Sequence, residues 1–130
     1  MIEIKKITIG CYLKFNDEPI NVKAIECDKQ GFWINYGIKE QVLLTDCDIL
    51  PITEEILSTN NFINLEHGFE KEIDLTNKIV LVESQGKFYP MLYECGESVY
   101  DPEYVVTLSA ITSVHELQYI CNLYDIVITV

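Results

Sequence analysis

Along the first fifty residues, aliphatic and polar positions alternate in short runs. Cys11, Leu13 and Phe15 fall on one side of an extended chain and Tyr12 and Lys14 on the other, the period of a half-buried strand. Asn16-Asp17-Glu18-Pro19 then groups turn formers, and Ile20, Val22 and Ala24 resume the alternation, which predicts a hairpin. At Ile25 the phase slips so that Ile25 and Cys27 take the inward positions, as a bulge or sharp bend in a long strand would require. Asp28 to Gly31 supplies the next turn. Phe32, Ile34 and Tyr36 alternate with Trp33 and Asn35, Gly37 reverses the chain again, Val42 to Leu44 gives a fourth strand, and residues 46–50 close the unit.

Short antiparallel strands at this spacing, one of them bent, can curl into a small barrel that leaves few edges exposed. The arrangement resembles the five-stranded barrels of the Src-homology-3 type. Beyond it, Thr53 is placed to cap a short helix with Glu54 and Glu55 in its first turn, and Asn60-Asn61 to end it. Residues 62–65 and 69–75 read as strands, and residues 78–83 and 87–93 pair around Ser84-Gln85-Gly86. Ile79-Val80-Leu81-Val82 is apolar on both faces, which predicts a central strand covered on both sides, while Pro90, lacking an amide hydrogen, predicts an edge or a bulge. Residues 94–103 read as an acidic loop and 104–111 as a strand. Ser113 and Glu116 stand in capping-box relation before Val114, Leu117, Cys121 and Tyr124, which repeat at helical spacing. Ile126 to Val130 should enter a sheet of this chain or of a partner.

The predicted class is therefore α+β: a small N-terminal antiparallel barrel of about five strands, a short helix, and a second antiparallel sheet with one C-terminal helix and a terminal strand. Residues 1–50 form the barrel-like unit and 51–130 an α+β unit packed on it, with one compact domain over 1–130 as the alternative. Composition agrees: eighteen Ile and ten Val against two Ala favour pleated sheet over a helical bundle.

Charge changes the picture more than composition does. Residues 1–50 hold six Lys and eight carboxylates, residues 51–130 three Lys and thirteen, and the chain has no arginine. Direct binding to nucleic acid is not expected of a chain with a formal net charge of −12, because neutralising phosphates needs clustered cations. No apolar run approaches the roughly 20 residues of a membrane-spanning helix, and residues 1–10 alternate charge with aliphatic groups instead of building a signal-peptide core. The expectation is a cytoplasmic protein without membrane contact. Its five scattered cysteines form no CxxC pair and read as buried hydrophobes.

Chemistry is sparse. Two histidines are present, and His115 stands six positions from Cys121, on a different face of the predicted helix, so the two form no dyad there. His67 reads as a turn residue, and Asp46 with Asp48 offers fewer oxygens than a hard cation needs. The six glycines stand alone, with no phosphate loop and no GxSxG or HExxH pattern. No catalytic residue, cofactor or metal is expected. Tyr12, Trp33 and Asn35 share the face opposite the first core, where either a peptide or the second half of the chain would pack. Glu94, Glu97, Asp101 and Glu103, with no cation nearby in sequence, are the candidate partner-binding residues.

Val114-His115-Glu116-Leu117-Gln118 followed by Asn122-Leu123-Tyr124 resembles the closing helix of a loosely defined group of short proteins encoded by Bacteroidetes and by their phages and mobile elements. Ile9-Gly10 through Phe15, residues 19–25 and Leu50-Pro51-Ile52-Thr53-Glu54-Glu55 are similar to the same group. The resemblance implies a genomic setting and no chemistry. The functional expectation is a non-enzymatic accessory protein that contacts a protein partner, of basic character, through an acidic surface. Two alternatives stand beside it: a small-ligand binder or enzyme whose site is assembled from distant segments, and a structural protein whose copies pair through Ile126 to Val130.

Overall fold

The computed structural model describes residues 2–95 and 102–130, with the side chains of Cys95 and of residues 102–104 outside that description. Strand β1 (Tyr12–Phe15) and β2 (Glu18–Asn21) form the expected hairpin, pairing Leu13 with Ile20. Asn16 and Asp17 connect them at φ 52° and 63°, the two successive left-handed residues that a type I′ turn requires and that Asn and Asp tolerate.

Three further strands, β3 (Ala24–Asp28), β4 (Gly31–Asn35) and β5 (Gln41–Leu43), make a separate antiparallel sheet. Hairpin and sheet share one core of Ile7, Cys11, Leu13, Ile20, Val22, Ile34, Val42, Leu44 and Cys47. The hairpin is tied to the chain after β5 by a backbone bridge between Lys14 and Asp48, at 2.9 and 2.8 Å.

No closed barrel is present among the described residues, which corrects the Src-homology-3 expectation. The reason lies at the phase slip. Val22 donates its N–H back to Cys11 while Lys23 donates to Asn35, so the chain changes sheets between two adjacent residues where a bent continuous strand was expected. Ile25 still packs on the core, but Cys27 is exposed.

Helix α1 (Glu54–Thr59) starts as its sequence predicts: the Thr53 hydroxyl accepts from the Ile56 amide at 3.2 Å, and Asn61 follows the helix at φ 66°. Five strands then run as a meander in sequence order: β6 (Ile63–Leu65), β7 (Gly68–Glu72), β8 (Asn77–Ser84), β9 (Lys87–Cys95) and β10 (Pro102–Thr107). All neighbours are antiparallel, and Gln85-Gly86 turns β8 into β9 with both residues at positive φ. Gly68 lets β7 approach β8 so closely that a Cβ there would run into the Leu81 carbonyl oxygen.

Pro90 lies inside the sheet in unbroken register with Leu81, where an edge or a bulge was expected. In a strand a residue's N and O point to the same side, and the Pro90 carbonyl accepts from Leu108, beyond the last β10 pair at Thr107. The nitrogen without hydrogen therefore faces the end of the ladder, where no partner strand is waiting.

Helix α2 (Val114–Asn122) covers one face of this sheet. The Ser113 amide and hydroxyl both reach the Glu116 carboxylate, at 3.3 and 2.7 Å, and Val114, Leu117, Ile120 and Cys121 bury against Phe69, Ile79, Leu81 and Phe88. Residues 126–130 join no sheet, which corrects the terminal strand. Only Ile128 of the five is buried, and the backbone around it is met by side-chain amides where a neighbouring strand was expected. The protein is thus α+β, strand-dominated and antiparallel with two helices, and its buried hydrophobics fall into two clusters, one from residues 7–47 and one from 52–128.

Candidate functional site

Two kinds of surface on the second half of the chain can do chemistry or recognition: its carboxylates and the sheet face that α2 leaves open. Of its three lysines, Lys71 turns inward to donate to the Asn60 carbonyl at 2.8 Å over the Phe62 ring. Lys78 is held by the Glu70 carboxylate at 3.0 Å and lies 5.1 Å from the centre of the Tyr93 ring. Two of three cations are committed to internal contacts, while Glu54, Glu55, Glu72, Glu83, Glu94 and Asp125 remain exposed. Asp74, also exposed, accepts from the Thr76 and Asn77 amides at 2.8 Å, and these bonds hold its carboxyl below the usual aspartate range.

Glu94 sits exposed near the end of β9, in register with Asn77 of β8 and Tyr104 of β10. The β7–β8 turn lies at the same end of the sheet, so Glu94 shares that end with Glu72 and Asp74. Glu103 is part of β10 by its backbone, at the register shift between Pro102 and Tyr104. Glu97 and Asp101 lie outside the described residues.

The open face follows from the pairing register. Ile63, Glu70, Val80, Met91 and Thr107 form one row across all five strands, with Leu65, Val82 and Tyr89 in the row on one side and Glu72, Lys78, Tyr93 and Val105 on the other. Ile63 is 65% exposed, Leu65, Tyr89 and Val105 are exposed, and Val80, Val82, Met91 and Tyr93 are half-buried. The central strand expected to be covered on both faces is covered on one.

The histidines take unlike places. His67 is exposed in the β6–β7 turn, its Nε2 3.9 Å from the Glu66 carboxylate, at an open depression of about 380 Å³ that also touches Glu54 and Glu83. His115 stands in the first turn of α2 and is 4% exposed, because that turn is pressed against the 3₁₀ turn at residues 4–6. Its Nδ1 has no hydrogen-bond partner, and burial holds its pKa below the ordinary histidine value. Beside it, burial works to raise the Glu116 carboxyl, but the Ser113 hydroxyl, the Thr112 amide and the Lys6 ammonium at 3.6 Å outweigh that and bring it down.

Sequence reasoning missed two buried amides. Gln118 accepts from the Tyr12 amide at 2.8 Å and donates to the Gly10 carbonyl at 3.2 Å, joining α2 to the hairpin. Asn60 donates to Thr129 O at 2.8 Å and accepts from Thr129 N at 2.9 Å, as a paired strand would. In sequence Gln118 is one polar residue between Leu117 and Tyr119, and Asn60 one of two adjacent asparagines that end α1; neither carries an address for its distant partners.

Tyr12 packs against the second core, whereas Trp33 stays on the outer side of β4 with its indole N–H on Asp28 Oδ2 at 2.9 Å, so the three residues expected on one face are not brought together. Asp46 and Asp48 flank the buried Cys47, whose thiol is pushed up to about 11 by burial with help from both carboxylates. Burial likewise raises the Cys121 thiol, to about 12, so neither is a nucleophile near neutral pH. Among the described residues no three metal-capable side chains converge, and no helix is long and apolar enough to cross a membrane. A depression of about 580 Å³ in the first unit is walled mainly by Ile2, Ile4, Phe32 and Leu44. Comparison with protein-family models, curated proteins and solved structures finds no match for this chain.

Proposed function

We propose that this chain is a non-enzymatic accessory protein that acts by contact with a basic protein partner through the acidic surface of its second half. The observation that carries the reading is the inward commitment of Lys71 and Lys78, which leaves Glu72 and Glu94 exposed and without an ion pair among the described residues. A surface of one sign attracts an oppositely charged partner and repels like-charged ones. The resemblance to proteins of phages and mobile elements suggests the setting in which such an accessory acts.

Salt separates this reading from its rivals. Complexes recovered from native extract should weaken several-fold between about 50 mM and about 300 mM salt, and further in the variant Glu72→Gln/Glu94→Gln, since screening shortens the reach of exposed charge. Recovery that is indifferent to both changes overturns it. The apolar depression beside Phe32 favours a second reading, a binder of small apolar ligands, which displacement of a fluorescent alkyl probe would detect.

A further inference from the structure

The open face of the five-stranded sheet is where such a partner would sit, and the chemistry around it specifies what kind of segment it takes. We infer that this face docks a basic amphipathic helix of a partner protein, its apolar side on Val80, Val82, Tyr89 and Met91 and its cations over Glu72 and Asp74. The inference rests on the protein-contact reading above and adds the surface and the partner's form.

Three observations lead there. First, a sheet normally has its apolar face covered by another layer, and α2 supplies that layer on one side only, leaving Ile63, Leu65, Tyr89 and Val105 exposed on the other. Second, the dimensions fit a helix better than a second copy of the chain. Four inter-strand gaps give a width of about 19 Å, and the eight residues of β8 a length of about 26 Å. That footprint of about 500 Å² is short of the roughly 800 Å² per partner of a stable protein pair, but it holds a helix about 10 Å across. A second copy would also bring a net charge of −12 against a net charge of −12.

Third, charge is distributed unequally along the face. Glu72 and the exposed Asp74 stand at the end carrying the β7–β8 turn, where Lys78 is already bound to Glu70, while Lys87, in register with Ser84, stands at the opposite end of the face. A helix whose cations lie at one end matches that gradient, and the apolar rows beyond it match the i, i+3, i+4 anchors of a helix laid on a surface.

The test uses a defined probe on the full chain: a Leu–Lys amphipathic helix of about 18 residues, about 27 Å long, with a Leu–Glu helix of the same pattern as control. The expected result is binding of the Leu–Lys helix alone, with amide shifts at Val80, Val82, Tyr89 and Met91. Val82→Lys should weaken it at least tenfold. Ile63→Lys, at a position already exposed, should do so severalfold and guards against misfolding of the first variant.

If shifts appear only around Glu72, Asp74 and Glu94 and Val82→Lys has no effect, the face is overturned while the acidic-surface reading stands. Failure of the Leu–Lys helix to bind overturns the docking inference, and salt-insensitive recovery of the native complex separately overturns the reading beneath it. A concentration-dependent dimer that Val82→Lys abolishes seats a second copy on the face and also overturns the inference.

Discussion

The two faces of the five-stranded sheet are built from the same strands with similar aliphatic residues, yet one is a core and the other a surface. Ile79 and Leu81 on one side of β8 are fully buried, whereas Val80 and Val82 on the other are half-exposed. Nothing in the strand itself distinguishes them. The difference is α2, whose Val114, Leu117 and Cys121 reach one face and not the other. The comparison teaches that an apolar side chain becomes structural only where a second layer meets it, and that an equal side chain without that layer is left available for a partner.

The sharpest way to break this contrast is a pair of truncations on one strand. Leu81→Ala should cost about 2–5 kcal/mol in urea unfolding because it leaves a cavity beneath α2, whereas Val82→Ala should cost under about 1 kcal/mol. Equal losses would mean that the open face is covered in solution.

A smaller effect is expected where α2 meets the hairpin. Gln118→Ala leaves the Tyr12 amide and Gly10 carbonyl without their partner and should cost about 1–3 kcal/mol. Asn60→Ala should raise hydrogen exchange at Thr129, whose amide it holds. Unchanged exchange would show that Ile128 alone anchors the final residues. Pairing of copies through Ile126 to Val130 would have to break both Asn60 bonds, so a monomer should persist in the intact chain and remain after deletion of 126–130, as sedimentation can check.

Acid should act on the buried first turn of α2 in two stages. His115 titrates below its unfolded value of 6.5, so the unfolded chain binds the extra proton and stability falls as pH drops through 6.5, levelling off below the lowered folded value. Glu116 titrates below 4.5, so its contribution is present above pH 4.5 and is lost as pH falls further. Unfolding followed by denaturant across this range should show both stages, and His115→Phe should remove the upper one. Smallest of all, Tyr89→Ser on the open face should change stability by no more than about 0.5 kcal/mol while weakening the docked helix.

Local structure was legible in residues whose neighbours along the chain decide it. The Asn16-Asp17 and Gln85-Gly86 turns, the Thr53 cap and the Ser113–Glu116 box each rest on contacts within a few residues, and each stands where its residues predict. Alternation predicts the closed barrel and an apolar run the terminal strand, and neither pattern says which strand lies alongside. The burial of His115 is hidden for the same reason: it comes from the turn at residues 4–6, over a hundred positions away in the chain. Of the candidate site, the acidity was visible as composition, but the inward turn of Lys71 and Lys78 was not.

By itself, then, the sequence determined the strand-rich α+β class, the turns and caps, and the acidic second half, because propensity, periodicity and charge act at short range or are simple sums. Tertiary structure alone decided that hairpin and three-stranded sheet remain separate, that Gln118 and Asn60 take the place of missing strand partners, and that α2 covers one face of β8 and not the other. Those outcomes depend on which distant surfaces meet, and hydrophobic burial has no direction until a second surface supplies one.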